Sequence, residues 1–192
     1  VRQHFSWKVN SQRMIRLLAF TMILANSVQP VRAGELIEIQ LMHKLDDLRG
    51  FYIDIRGHKE RAKVKKGLQA HTCYSYQGQI SVDQAFDTKL VSQGEFKLPF
   101  FGVCMEAEDV IEGSHLNLNT CTDISTQKFR FTSNNQIKLI SNDELCVAID
   151  GTNSKQGGGG TPPHLLRALF LKNCEKSGTK YTTWRMNEQG SQ

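Results

Sequence analysis

One pattern constrains this chain more than any other: a polar-x-aromatic step, following a cysteine, closes three consecutive segments. The steps are Gln84-Ala85-Phe86, Gln127-Lys128-Phe129 and Thr182-Thr183-Trp184, and the preceding cysteines are Cys73, Cys121 and Cys174. Each segment opens on an apolar-x-Leu run at residues 39–41, 96–98 and 137–139. Each holds a second short run centred on Tyr52, Cys104 or Cys146, and a third that ends at the later cysteine. The closing aromatics stand 43 and 55 residues apart. The longer gap contains "GTNSKQGGGGTPPH", residues 151–164, whose Gly, Ser and Pro content reads as a mobile surface loop.

Within each segment apolar residues alternate with polar ones, the period of a half-buried strand. A unit of a few such strands cannot bury its apolar face alone, so the three units are expected to share one core. A closed, barrel-like, all-β arrangement satisfies this and leaves few free strand edges.

The repeats also organise the five cysteines. The second and third copies hold two each at matching places, which predicts Cys104–Cys121 and Cys146–Cys174 bridges. In the first copy Tyr52 takes the place of the earlier cysteine, so Cys73 lacks that partner. Five buried thiols in a reducing compartment is the competing reading.

Compartment is addressed by the N-terminus. From Met14, "MIRLLAFTMILANSVQPVRA" runs from a short basic start through an apolar stretch to Val31-Arg32-Ala33. This fits a secretory signal with Met14 as initiator and cleavage after Ala33, leaving residues 34–192 as the mature domain. The apolar stretch is about half of what crosses a bilayer, so no transmembrane segment is expected in the mature chain. A buried or membrane-surface helix is the competing reading. The protein is thus expected to be secreted, extracellular or periplasmic, where disulfides persist. Residues 1–33 hold five of the 24 basic residues and none of the 19 acidic ones, so the remainder carries 19 of each. No global positive field is left to attract phosphate backbones, and nucleic acid is not an expected partner.

Three repeats with paired cysteines and a Q-x-W-like ending resemble the ricin B-type lectin family. The similarity covers residues 36 to about 186, with repeats at about 36–90, 91–133 and 134–188. It implies an all-β, β-trefoil fold with pseudo-threefold symmetry, and Phe86, Phe129 and Trp184 as core residues. It also implies glycans or glycoconjugates as partners and a shallow sugar pocket on each repeat. In such a pocket an acidic residue two places after the first cysteine accepts bonds from sugar hydroxyls. An aromatic two places before the second cysteine stacks on the sugar's apolar face. A polar residue before the glutamine completes the grip.

Carried across, the first repeat matches best: Asp54 is the acid, His71 stands at the stacking place, and Asp83 precedes Gln84. Histidine is smaller than the usual ring, and Tyr74 and Tyr76 lie near enough in sequence to supply one. The second repeat offers Glu106, Asn119, Thr126 and Gln127, a weaker site without a ring. The third has Ala148 and Lys172 at the acidic and stacking places, and its pocket is read as lost. Taken singly, Asp54 is equally a turn-side strand residue and His71 a structural histidine.

Other chemistry finds no support. The glycine run lacks the G-K-[ST] ending of a phosphate loop, and no G-x-S-x-G elbow occurs. His58, His71, His115 and His164 show no paired metal-ligand spacing. His71 and Cys73 fall on one face of a strand, where a structural thiol outweighs a thiol nucleophile. The basic run "KERAKVKK", residues 59–66, is a solvated loop or an aid to a pocket favouring anionic glycans. The expectation is a non-catalytic lectin without cofactor or metal. The alternative is a trefoil scaffold for protein contact, such as an inhibitor or a toxin-associated subunit.

Overall fold

The computed structural model of the chain describes residues 1, 35–73, 80–152 and 154–188. The segment expected to be a secretory signal and the tyrosines at 74 and 76 lie outside the described residues. The first repeat supplies β1 (Leu36–Leu41), β2 (Phe51–Ile55), β3 (Leu68–Thr72) and β4 (Phe86–Asp87). The second supplies β5 (Lys97–Leu98), β6 (Val103–Ala107), β7 (Leu116–Thr120) and β8 (Phe129–Phe131). The third supplies β9 (Ile137–Leu139) and β10 (Asn142–Ile149), then β11 (Lys155–Gln156) and β12 (Leu165–Arg167). It ends with β13 (Leu169–Asn173) and β14 (Trp184–Glu188).

These strands close on themselves. β14 pairs antiparallel with β1, and β1 with β4. Phe86 packs edge-on against Phe96, and Phe96 against Phe129, at centroid separations of 6.3 and 5.8 Å. Glu95 bridges to Lys128, β8 pairs with β9, and Gln136 bridges to Thr183 just before β14. The ring therefore runs through the first and last strands of all three repeats. The hairpins β2–β3, β6–β7 and β10–β13 complete the units. This is an all-β, β-trefoil architecture.

Alternation explains the core. In β2, Phe51, Ile53 and Ile55 are buried in the common apolar cluster, while Tyr52 and Asp54 project from the opposite face. Phe86, Phe129 and Trp184 are fully buried in that cluster at equivalent places. Trp184 also donates its indole N–H to the Val147 carbonyl at 2.9 Å, so its one polar atom is satisfied inside the core.

The three cysteine places are structurally equivalent but chemically different. Tyr52 lies opposite His71, Cys104 opposite Asn119, and Cys146 opposite Lys172. Cys104 and Cys121 form a disulfide. The expected Cys146–Cys174 bridge is not formed: both are buried thiols in this structure. Burial pushes the Cys146 thiol pKa up, the neighbouring Cys174 thiol adds to it, and Cys174 Sγ donates to the Asp143 carbonyl at 3.9 Å. In the first repeat Tyr52 stands in for the missing cysteine. Its hydroxyl is pushed up in pKa by burial and by the Cys73 thiol within hydrogen-bonding reach.

The largest departure from expectation is the glycine-rich insertion. It does not behave as a free surface loop. β11 and β12 form a hairpin, and β12 adds to the edge of the first repeat's sheet, with Leu166 opposite His71 and Arg167 opposite Ala70. The Arg49 guanidinium donates to the carbonyls of Pro162 and Pro163 at 3.0 and 2.8 Å while paired with Asp47. Arg167 donates to Asp46 and to the Asp150 carbonyl. Backbone pairing and two arginines thus fix the insertion as a strap across the first repeat.

Candidate functional site

The β2–β3 ladder sets the geometry of the first repeat's site. Tyr52 faces His71 and Asp54 faces Gln69, so period-two alternation places all four on one face of the sheet. Gln69 donates to Asp54 across the ladder at 3.1 Å. Asp83 arrives from the turn before β4, and its carbonyl accepts from the Ile55 N–H at 3.0 Å. Its carboxylate bonds to His58 Nδ1 at 2.8 Å and accepts from the Lys59 N–H at 2.6 Å. Of the four residues expected here, Asp54, Asp83 and Gln84 are fully buried, and His71 is half-buried at the surface.

A cavity of about 270 Å³ opens over this region. It is lined by Gly57, His58, Arg61 and His71 from the first repeat, and by Gly158, Gly159, Gly160 and His164 from the strap. The rings of His71 and His164 are tilted against each other at 4.9 Å. Thr72 Oγ1 meets His164 Nδ1 at 3.0 Å and accepts from the Leu165 N–H at 3.2 Å, which seats the strap's histidine beside His71.

His71 donates from Nδ1 to the Thr72 carbonyl at 2.6 Å, which fixes its tautomer. Burial drives its pKa down to about 4, against a partly offsetting bond to Thr72, with His164 and Arg49 adding to the depression. Burial and the Arg49 charge lower His164 as well. Both rings are therefore neutral at physiological pH. The unfolded chain binds more protons than the folded one between the ordinary histidine value and about 4. His71's contribution to stability is thus complete at neutral pH and is lost as pH falls through that window. NMR titration is expected to show the His71 ring unprotonated down to pH 5. A midpoint above 6 would contradict this burial.

The second repeat uses the same residue types differently. Gln127 accepts from the Thr122 N–H at 2.8 Å, and donates to the Thr120 carbonyl at 3.0 Å and to Glu106 at 2.6 Å. Its amide braces the turn after Cys121 and ties up the acid expected to meet a sugar. Asn119 is exposed and lies opposite Cys104, on the face that carries Glu106. Gln84 stands at the equivalent place in the first repeat, fully buried, yet neither its amide nitrogen nor its oxygen has a hydrogen-bond partner among the described residues. In the third repeat Ala148 is buried opposite Phe170, and the Lys172 ammonium lies over that ring at 5.8 Å. No carboxylate is available at that place. A larger cavity of about 380 Å³ near Lys138, Glu144 and Cys174 has mixed charges and no ring.

Five contributors, Gln69, His164 and the strap's Gly158, Gly159 and Gly160, were not placed at this site from sequence. Gln69 carries a legible signal, since it sits two residues before His71 and so shares its strand face. His164 and the three strap glycines had none, because only the non-local pairing of β12 with β3 brings them here. Among the described residues, no helix is long and apolar enough to cross a membrane.

Neither a protein-family model nor a curated protein matches the chain. Solved structures do. A cytolethal distending toxin structure from Actinobacillus actinomycetemcomitans is similar over 84% of this chain and 95% of the matched one, at 15% identity and TM-score 0.55. The earthworm R-type lectin C-half, solved in complex with GalNAc, is similar over 81% of this chain and 99% of its own, at 14% identity and TM-score 0.52. An agglutinin from Abrus precatorius is similar over 80% of this chain at 11% identity and TM-score 0.52. The match spans 46% of that agglutinin chain. The chain is a β-trefoil, and its structural neighbours include an agglutinin, an R-type lectin and a cytolethal distending toxin.

Proposed function

We propose that this protein is a non-catalytic carbohydrate-binding protein whose working site is the first repeat. His71 lines the pocket, with the buried Asp54, Gln69, Asp83 and Gln84 behind it. Export to an extracellular or periplasmic compartment belongs to this reading. The observation that carries it is the contrast between two equivalent glutamines. The second repeat spends Gln127 entirely on internal bonds. The first leaves the buried Gln84 amide without a hydrogen-bond partner among the described residues, next to the residue that anchors the pocket's His58. A buried amide without partners costs roughly 1–3 kcal/mol, and a site that receives a ligand is where such a cost is retained.

This gives a test that separates binding from folding. Gln84→Leu removes an unsatisfied amide and is expected to leave thermal stability unchanged or slightly raised, while abolishing glycan-array binding. Gln127→Leu strands the Thr122 N–H and Glu106 and is expected to cost about 2–3 kcal/mol. An array on which the native protein binds no glycan at millimolar concentration would refute the reading. Native-like glycan binding by Gln84→Leu would refute the site assignment.

A second reading has a specific observation behind it. The third repeat has Ala148 in place of an acid, the second's Glu106 is bonded by Gln127, and one structural neighbour is a toxin, as expected of a trefoil used as a protein-contact scaffold. Capture of partners that free sugars do not release would favour it.

A further inference from the structure

The first-repeat pocket has an unusual polarity for a site facing neutral sugar hydroxyls. A hydroxyl both donates and accepts, so a pocket built for neutral sugars presents acceptors as well as donors. Here no carboxylate lines the cavity. The two nearest in the fold, Asp54 and Asp83, are fully buried and already engaged by Gln69, and by His58 with the Lys59 N–H. Asp47, beside the strap, is held by Arg49.

What lines the cavity instead is Arg61, three imidazoles and three consecutive strap glycines. Arg61 is exposed, and no carboxylate pairs with its guanidinium among the described residues. It belongs to the turn at residues 59–66, where Lys59, Lys63, Lys65 and Lys66 are opposed by Glu60 alone. Across the cavity, the amide N–H groups of Gly158, Gly159 and Gly160 donate to no backbone carbonyl among the described residues. The glycines are needed there: a methyl group on Gly160 would meet the His164 ring at 2.7 Å, and Gly159 and Gly160 both adopt positive φ.

We propose that this composite pocket takes an acidic sugar residue, with its carboxylate or sulfate group held by Arg61. The inference rests on the carbohydrate-binding reading above and adds the class of sugar. An anionic group offers acceptors only, which suits the Arg61 guanidinium and the strap's amide N–H groups, and a guanidinium fork binds either anion through paired charge-assisted bonds. The volume, near the lower bound of about 300 Å³ for small-ligand pockets, suits one sugar residue with its substituent. The strap is then a specificity element contributed by the third repeat, which has no acid of its own at the binding place.

The test uses an array printed with matched sets, each neutral glycan beside its sialylated and sulfated forms. The native protein is expected to bind the acidic member of at least one set about tenfold or more above its neutral parent, with the excess shrinking as salt rises. The sialylated and sulfated arms distinguish carboxylate from sulfate. Arg61→Gln is expected to bring the acidic-to-neutral ratio close to one, and Arg61→Lys to restore it in part. Because the side chain is exposed, unchanged melting temperatures should accompany both variants. Neutral glycans bound as well as acidic ones, or a ratio that survives Arg61→Gln, overturns the inference while leaving the lectin reading standing. Binding to no glycan of any kind removes both.

Discussion

Trp184→Ala is expected to lower stability by about 3–5 kcal/mol, the largest effect of any single substitution considered for this fold. Trp184 is fully buried and is the largest side chain in the common core. It closes the third repeat from β14, the strand that pairs with β1 and so joins the chain's last repeat to its first. Alanine would leave a cavity at that junction and would also orphan the Val147 carbonyl, which the indole N–H now satisfies. In a domain of this size the loss corresponds to a fall of roughly 10 °C in melting temperature. Trp184→Phe keeps most of the volume but not the donor, and should fall between the two. Thermal denaturation of the three proteins gives the comparison. A loss below about 1 kcal/mol for Trp184→Ala would mean that the three repeats do not share one core.

The second large effect concerns the cysteines and separates two chemically different places. Replacing Cys104 and Cys121 together by alanine removes a cross-link between residues 17 positions apart, and is expected to cost about 3 kcal/mol. Replacing Cys146 by alanine removes a buried thiol but no covalent link, and is expected to cost only about 1 kcal/mol. Denaturant melts of the two variants, with peptide mapping of the native protein under non-reducing conditions, decide the matter. Mapping should return the Cys104–Cys121 peptide pair. Equal losses from the two substitutions, together with a recovered Cys146–Cys174 pair, would show that the third repeat is cross-linked as well.

The fold was legible because its signals are local. An apolar-x-Leu opening, a cysteine on a strand and a closing aromatic each report which face of a short strand is buried, and three registers of the same signals define the threefold arrangement. The strap was not legible for the opposite reason. Gly157, Gly158, Gly159 and Gly160 carry no strand propensity, and the residues that hold the insertion, Arg49 and Thr72, lie about a hundred positions earlier in the chain. Only tertiary pairing shows that it lands on β3.

The site was legible in part. Residue type and spacing located Asp54, His71 and Asp83 in one neighbourhood, and the structure brings them together. Spacing could not tell that Gln127 is satisfied while Gln84 has no hydrogen-bond partner among the described residues, since the two have the same local sequence signature and differ in what surrounds them. Nor could it tell that both carboxylates are already engaged, which moves the burden of recognition toward Arg61 and the strap.

Sugar binding by one repeat of three is tested most directly by a crystal of the protein soaked with the strongest glycan from the array. The predicted result is sugar density against His71, between Arg61 and the residues 158–160 strap, with none over Asn119 or Lys172. Density confined to the second or third repeat, or seated in the groove beside Cys174, would contradict it.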